Sequence, residues 1–147
     1  TPVATSSGAS LTWTAPAAWQ SKPGSAMRKA TYVITGEGGA TAELAVTAFP
    51  GDVGGEVANL NRWRGQLQLA PQSPSDAAAA ITRVQANGLA IGVVEMVGTG
   101  AAPVRLIGAM VPFDGATWFF KLTGPDALVA GQKQAFLEFA RSIRPAK

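Results

Sequence analysis

Apolar and polar residues alternate between Thr41 and Phe49, where Ala42, Leu44, Val46 and Ala48 interleave with Thr41, Glu43, Ala45 and Thr47. A period of two with one apolar face predicts a half-buried strand. Arg28 to Thr35 precedes it across Gly36-Glu37-Gly38-Gly39, a glycine-rich link that predicts a β-hairpin. Leu11 to Trp19 reads as a short strand running into a turn at Pro16, which cannot donate a ladder hydrogen bond. Trp13 and Trp19 are expected to cover one end of the core.

The period then changes. After the break Pro50-Gly51-Asp52-Val53-Gly54-Gly55, the stretch Glu56 to Leu67 places Val57, Leu60, Trp63 and Leu67 on one arc at 100° per residue. Asn59, Arg62 and Gln66 share another arc, so an amphipathic helix is predicted. Ser75-Asp76 offers an N-cap to a second helix, Ala77 to Ala86, which Asn87-Gly88 would end in a left-handed cap. Ala77, Ala80, Ile81 and Val84 would face inward.

Three strands follow at Leu89 to Val97, Val104 to Phe113 and Ala116 to Leu122, the last two joined by the tight-turn dipeptide Asp114-Gly115. Both faces of these strands are largely apolar, which calls for cover on both sides of the sheet. A closing helix begins with Pro125 in its first turn and Asp126 at its positive end, with Leu128, Val129, Ala135, Phe136, Phe139, Ala140 and Ile143 on one arc. The order β-β-β-α-α-β-β-β-α predicts an α+β fold, a three-layer α/β/α sandwich around a mainly antiparallel sheet of about six strands. Residues 11–147 form one domain behind a small, polar tether, Thr1 to Ser10.

Composition narrows the chemistry. The 147 residues include no His and no Cys, which removes Ser-His-Asp and Cys-His nucleophile systems, thiol redox centres and ordinary zinc sites. No metal and no cofactor is expected. The formal charge is +3, yet only 14% of residues are charged against a typical ~25%. The basic residues are scattered, so nucleic acid is not the expected partner. No run reaches the ~18 apolar residues of a membrane-spanning helix. A small polar lead-in without an initiator Met suggests an exported bacterial domain, periplasmic or held at the membrane by a lipid anchor upstream of Thr1.

Among the residues left, the Asn59, Arg62 and Gln66 face forms a ridge of amide and guanidinium groups, with Asn61 beside it and Gly54-Gly55 leading in. The free N–H groups of the helix start favour an anion there. The alternative for Asn59 or Asn61 is to tie down the preceding loop. Arg64 falls within the apolar arc and must snorkel or meet an acid, and Glu95, in an otherwise apolar strand, must also be paired. A buried Glu95–Arg64 ion pair is expected, with Arg105 and Lys121 as other partners. Trp13, Trp19, Trp63, Trp118, Phe119 and Phe120 are read as core before interface.

The element order, the opening Trp13-Thr14-Ala15-Pro16-Ala17-Ala18-Trp19 and the closing Phe139-Ala140-Arg141-Ser142-Ile143-Arg144 resemble the PsbP-like fold over roughly residues 11–144. That superfamily includes the extrinsic PsbP subunit of photosystem II and a nuclear-import factor that binds Ran. Gly54-Gly55 with Asn59-Leu60-Asn61-Arg62-Trp63-Arg64-Gly65-Gln66 also resembles a Gly-Gly…Asn-x-Asn-Arg-Trp-x-x-Gln signature of uncharacterised exported bacterial proteins and lipoproteins, and Trp118 to Pro125 resembles a second signature of that group. The resemblance implies a binding scaffold. The leading expectation is a non-catalytic module binding a protein or envelope component through the Glu56–Leu67 helix. The second is a small-ligand or anion pocket between the Gly51–Gly55 loop, that helix and the sheet. The third is an enzyme using Glu95 with Lys121 or Arg64.

Overall fold

The computed structural model describes residues 10–23, 28–51 and 54–146. Apart from Ser10, the expected tether lies outside them. Seven strands form the main sheet: β2 (Gln20–Lys22), β3 (Ala30–Thr35), β4 (Thr41–Pro50), β5 (Thr82–Ala86), β6 (Leu89–Val97), β7 (Val104–Phe113) and β8 (Ala116–Pro125). Their spatial order is β2-β3-β4-β8-β7-β6-β5, and each neighbouring pair is antiparallel. The last strand of the meander thus closes against the N-terminal hairpin. A two-stranded ladder, β1 (Leu11–Thr12) with β9 (Arg144–Pro145), ties the chain's start to its end.

Helix α1 (Gly55–Gln66) lies close to its expected bounds. The second predicted helix is much shorter: α2 (Pro74–Ala79) is capped by the Ser73 hydroxyl, which accepts from Asp76 N, rather than by Ser75-Asp76. Ala77 is buried, but Ala80 is exposed, and Val84 belongs to strand β5. The reason is the turn that follows. Asn87 (φ 54°) and Gly88 (φ 80°) are both left-handed and join Ala86 to Leu89 across the β5–β6 hairpin, the geometry that Asn-Gly favours in a two-residue hairpin loop. The main sheet therefore has seven strands rather than about six, because β5 and β2 join it while the strand expected over Leu11 to Trp19 shrinks to β1, outside that sheet. Asp114 (φ 52°) and Gly115 (φ 75°) repeat the arrangement between β7 and β8.

The closing helix is divided. Pro125 ends β8, and α3 (Asp126–Gly131) is separated from α4 (Lys133–Arg141) by Gln132, whose φ of −97° and ψ of 3° leave the helical path. The Trp19 indole N–H donates to the Gln132 side-chain carbonyl at 3.0 Å, which fixes the break.

Each sheet face carries its own core. Leu44, Val46, Ile91, Ile107, Phe120 and Leu122 pack with Val129, Phe136 and Phe139 of α3 and α4. Val94, Met96, Leu106, Met110 and Phe119 pack with Leu60, Trp63 and Leu67 of α1 and its end, and with Ala77 of α2. Trp63 lies so close over β7 that a Cβ on Gly108 would overlap its ring. Trp19, Trp63, Trp118, Phe119 and Phe120 are all buried, and Trp13 packs edge-on against Trp118 and Phe120.

Candidate functional site

Alternation along β8 sends Phe120 and Leu122 toward α3 and α4, and Phe119 and Lys121 toward α1. Beside α1, Lys121 meets Arg62 and Trp63 of the helix, Arg28 at the entry to β3, and Ala45, Thr47 and Phe49 of β4, around a solvent-open cleft of about 280 Å³. The Lys121 ammonium donates to Gln66 Oε1 at 2.9 Å and sits 5.8 Å from the centre of the Trp63 ring. The Arg62 guanidinium lies 5.6 Å from the centre of the Phe119 ring. Aromatic faces attract cations, so these two rings hold both charges at the cleft wall.

Carboxylates do not match the cations. Glu43 contacts Arg28 at 3.1 Å. Among the described residues, none lies within ion-pair distance of Arg62 or Lys121. Burial lowers the Lys121 pKa below the ordinary lysine value, and the charges of Arg62 and Arg28 lower it further against an opposing pull from Glu43. An ammonium that is half-buried and repelled by its neighbours gains from an anion placed among them.

The α1 residues singled out from sequence separate into two groups. Arg62 and Gln66 reach the cleft, as above. Asn59 is buried, because at 100° per residue it stands only about 40° from Trp63, and its side-chain N–H donates to Gly55 O at 2.7 Å. Asn61 donates to Gln72 O at 3.0 Å and accepts from Gln72 N at 2.8 Å, clamping the segment between α1 and α2. Gly54 (φ 91°) and Gly55 (φ 89°) supply the left-handed turn into the helix. The helix start has its own anion: Glu56, in the first turn, pairs with Arg83 through bonds of 2.6 and 2.7 Å. A small cavity of about 140 Å³ lies between Gly55, Glu56, Asn59 and the sheet residues Met110, Pro112 and Thr117. Asp52 and Val53 of the adjoining loop lie outside the described residues.

The Glu95–Arg64 pair does not form. Glu95 shares its pleat face with Ile91 and Val93, on the side of α3 and α4, while Arg64 rides on α1 across the sheet and donates to Ala70 O at 2.6 Å. Glu95 instead meets Arg105 at 2.6 Å and Lys133 at 2.9 Å, and Arg105 also holds Asp126 at 2.6 Å. Partial burial raises the Glu95 pKa, but hydrogen bonds from Lys133 and Arg105 and their charges outweigh it and leave the group below the ordinary value. The pleat also parts Glu95 from Lys121, so neither Lys121 nor Arg64 stands beside that carboxylate. Among the described residues no three His, Cys, Asp or Glu side chains gather as a metal site would need, and no helix is long and apolar enough to cross a membrane.

Sequence reasoning did not connect Arg28 with Arg62, because only the pairing of β3, β4 and β8 brings them together. It placed Lys121 near Glu95. The strand's own parity, Trp118 and Phe120 against Phe119 and Lys121, was the available signal.

Solved structures provide likenesses of fold. LpqN of Mycobacterium tuberculosis, involved in cell envelope biogenesis, matches with a TM-score of 0.61 at 14% identity, over 95% of this chain and 85% of its own. A protein from Bacteroides thetaiotaomicron VPI-5482 matches with a TM-score of 0.53 at 9% identity, over 93% of this chain and 45% of its own. No protein-family model matches the chain, and neither does any curated protein sequence.

Proposed function

We propose that this chain is a non-catalytic binding module of the bacterial cell envelope that holds an anionic group between Arg28, Arg62 and Lys121. The observation that carries the reading is the convergence of three cations, drawn from β8, α1 and the entry to β3, on one cleft with Glu43 as their sole carboxylate neighbour among the described residues. Such clustering costs stability through like-charge repulsion and desolvation, and it is repaid when a ligand supplies the missing negative charge. Gln66 adds a neutral amide that already holds Lys121 in place.

The reading joins two expectations. The α1 face remains the recognition element, through Arg62 and Gln66, and the ligand is an anion. Asn59, Asn61, Gly54 and Gly55 serve by shaping and fixing α1. Export, with the chain periplasmic or lipid-anchored, is proposed from the fold likeness to an envelope-biogenesis protein. The three-layer α/β/α arrangement and the PsbP-like resemblance enter on the same footing, supported by the two cores on opposite sheet faces.

Titration of wild type, Arg62→Gln and Lys121→Met with sulfate, phosphate and galacturonate, followed by calorimetry and by tryptophan fluorescence, tests it. We expect at least one anion to bind and each variant to weaken it about tenfold or more, the scale of one charge-assisted hydrogen bond. Equal binding by all three proteins would overturn the cleft as the site.

A further inference from the structure

We infer, resting on the anion reading of the cleft, that the cleft is one end of a trough that takes an acidic polysaccharide chain laid across the strands. The register carries the inference. Lys22 pairs with Thr31, Thr31 with Ala45, and Ala45 with Lys121. Residues in register share a pleat face, so these four form a line across β2, β3, β4 and β8. Three strand spacings put the two lysine backbones about 14 Å apart, farther than a single sugar ring or phosphate reaches.

Between them lie the half-buried Ala45 and the buried Thr31, whose hydroxyl accepts from the Arg28 guanidinium at 3.5 Å, so Arg28 stands over the line between the two lysines and Arg62 lies along the same face. Among the described residues, the apolar cover given by α1 and α2 draws its fully buried sheet residues from β6, β7 and β8, with only the half-buried Phe49 from β4 packed against it and none from β2 or β3. The helical layer therefore stops at the cleft, and the line continues beyond it to Lys22, which is exposed on the edge strand. A row of cations at intervals, with one carboxylate beside it, complements a chain whose negative charges repeat.

The chemistry of the lining favours a sugar backbone. The Thr47 hydroxyl and the Gln66 amide line or adjoin the cleft, and both can donate and accept toward hydroxyl groups. Nucleic acid would use open aromatic faces for stacking, whereas Trp63 and Phe119 are buried and already faced by Lys121 and Arg62, and the half-buried Phe49 packs against Phe119 at 5.9 Å between ring centres. Polyphosphate has no hydroxyls to match those neutral groups.

Binding of galacturonate, its linear hexamer, a neutral dextran oligomer, polyphosphate, poly(U) and polyglutamate is measured with wild type, Lys22→Gln and Lys121→Met. Circular dichroism verifies that each variant is folded. The hexamer should bind wild type at least tenfold more tightly than the monomer, and dextran not at all. Lys22→Gln should erase that length dependence while leaving monomer affinity intact, and Lys121→Met should weaken monomer and hexamer alike. If Lys22→Gln keeps the full advantage of the hexamer, the trough is overturned and the anion cleft still stands. Tighter binding of polyphosphate, poly(U) or polyglutamate than of the hexamer overturns the polysaccharide assignment. If no anion binds wild type at all, the cleft reading itself falls.

Discussion

Lys121 is held in an arrangement that costs stability unless something else pays it back. Its Nζ has an amide oxygen, an indole face and two guanidinium neighbours, and its pKa is lowered chiefly by burial and then by those like charges. Only the protonated amine attracts an anion, so affinity for a small anion should fall as pH rises through the Lys121 value. The fall should begin at lower pH than for an ordinary lysine, and calorimetry across the alkaline range should record proton uptake on binding. Lys121→Met removes the repulsion, keeps the stem's packing and should leave the thermal midpoint equal or higher. A clear loss of stability in that variant would mean that the ammonium is a structural support.

At the scale of elements, α1 is positioned by what its neighbours lack. Gly108 has no side chain beneath Trp63, and this lets the helix settle on β7. Gly108→Ala should destabilise the fold by about 1–3 kcal/mol, the usual cost of overpacking a filled site. Denaturant unfolding should show it as a lower midpoint, together with a shift in native tryptophan emission as the Trp63 ring is pushed off the sheet. An unchanged midpoint would mean that α1 is free to slide. The Asn61 clamp on Gln72 acts from the other end of the connector, holding α1 and α2 in one layer. The elements also differ in how readily the chain betrays them. Strand β4 and helix α1 were legible from their own periodicity, and strands β3, β6, β7 and β8 from apolar runs bounded by turn residues. Strand β5 was hidden: the alanines before it favour a helix, and Asn87-Gly88 suits both a helix end and a hairpin.

Across the whole molecule, the network of Asp126, Arg105, Glu95 and Lys133 joins α3, β7, β6 and α4 at one end of the sheet. Glu95 has a lowered pKa in the fold, so its contribution is complete above its unfolded value and is lost as pH falls through the folded value. Acid unfolding of Glu95→Gln should therefore be less steep in pH than that of wild type, with the two stabilities converging at the acid end. Identical pH dependence would show that Glu95 does not couple the layers. The candidate site was only partly legible at this scale. Arg62 and Gln66 follow from helical spacing, whereas Arg28 reaches them through two strand pairings, and its partner strands lie far apart in the chain.

The sequence by itself determined the periodicities, hence the sheet-and-helix class, the apolar arc of α1 and the absence of imidazole and thiol chemistry. These depend on residue type and on spacing within one element. Tertiary structure decided which charges meet. The pleat sent Glu95 and Lys121 to opposite faces, so that Glu95 found Arg105 and Lys133, while Lys121 found Arg62, Arg28 and Gln66. The side of a sheet on which a charge emerges, and what lies across from it there, is a property of register between distant strands, which local spacing does not encode.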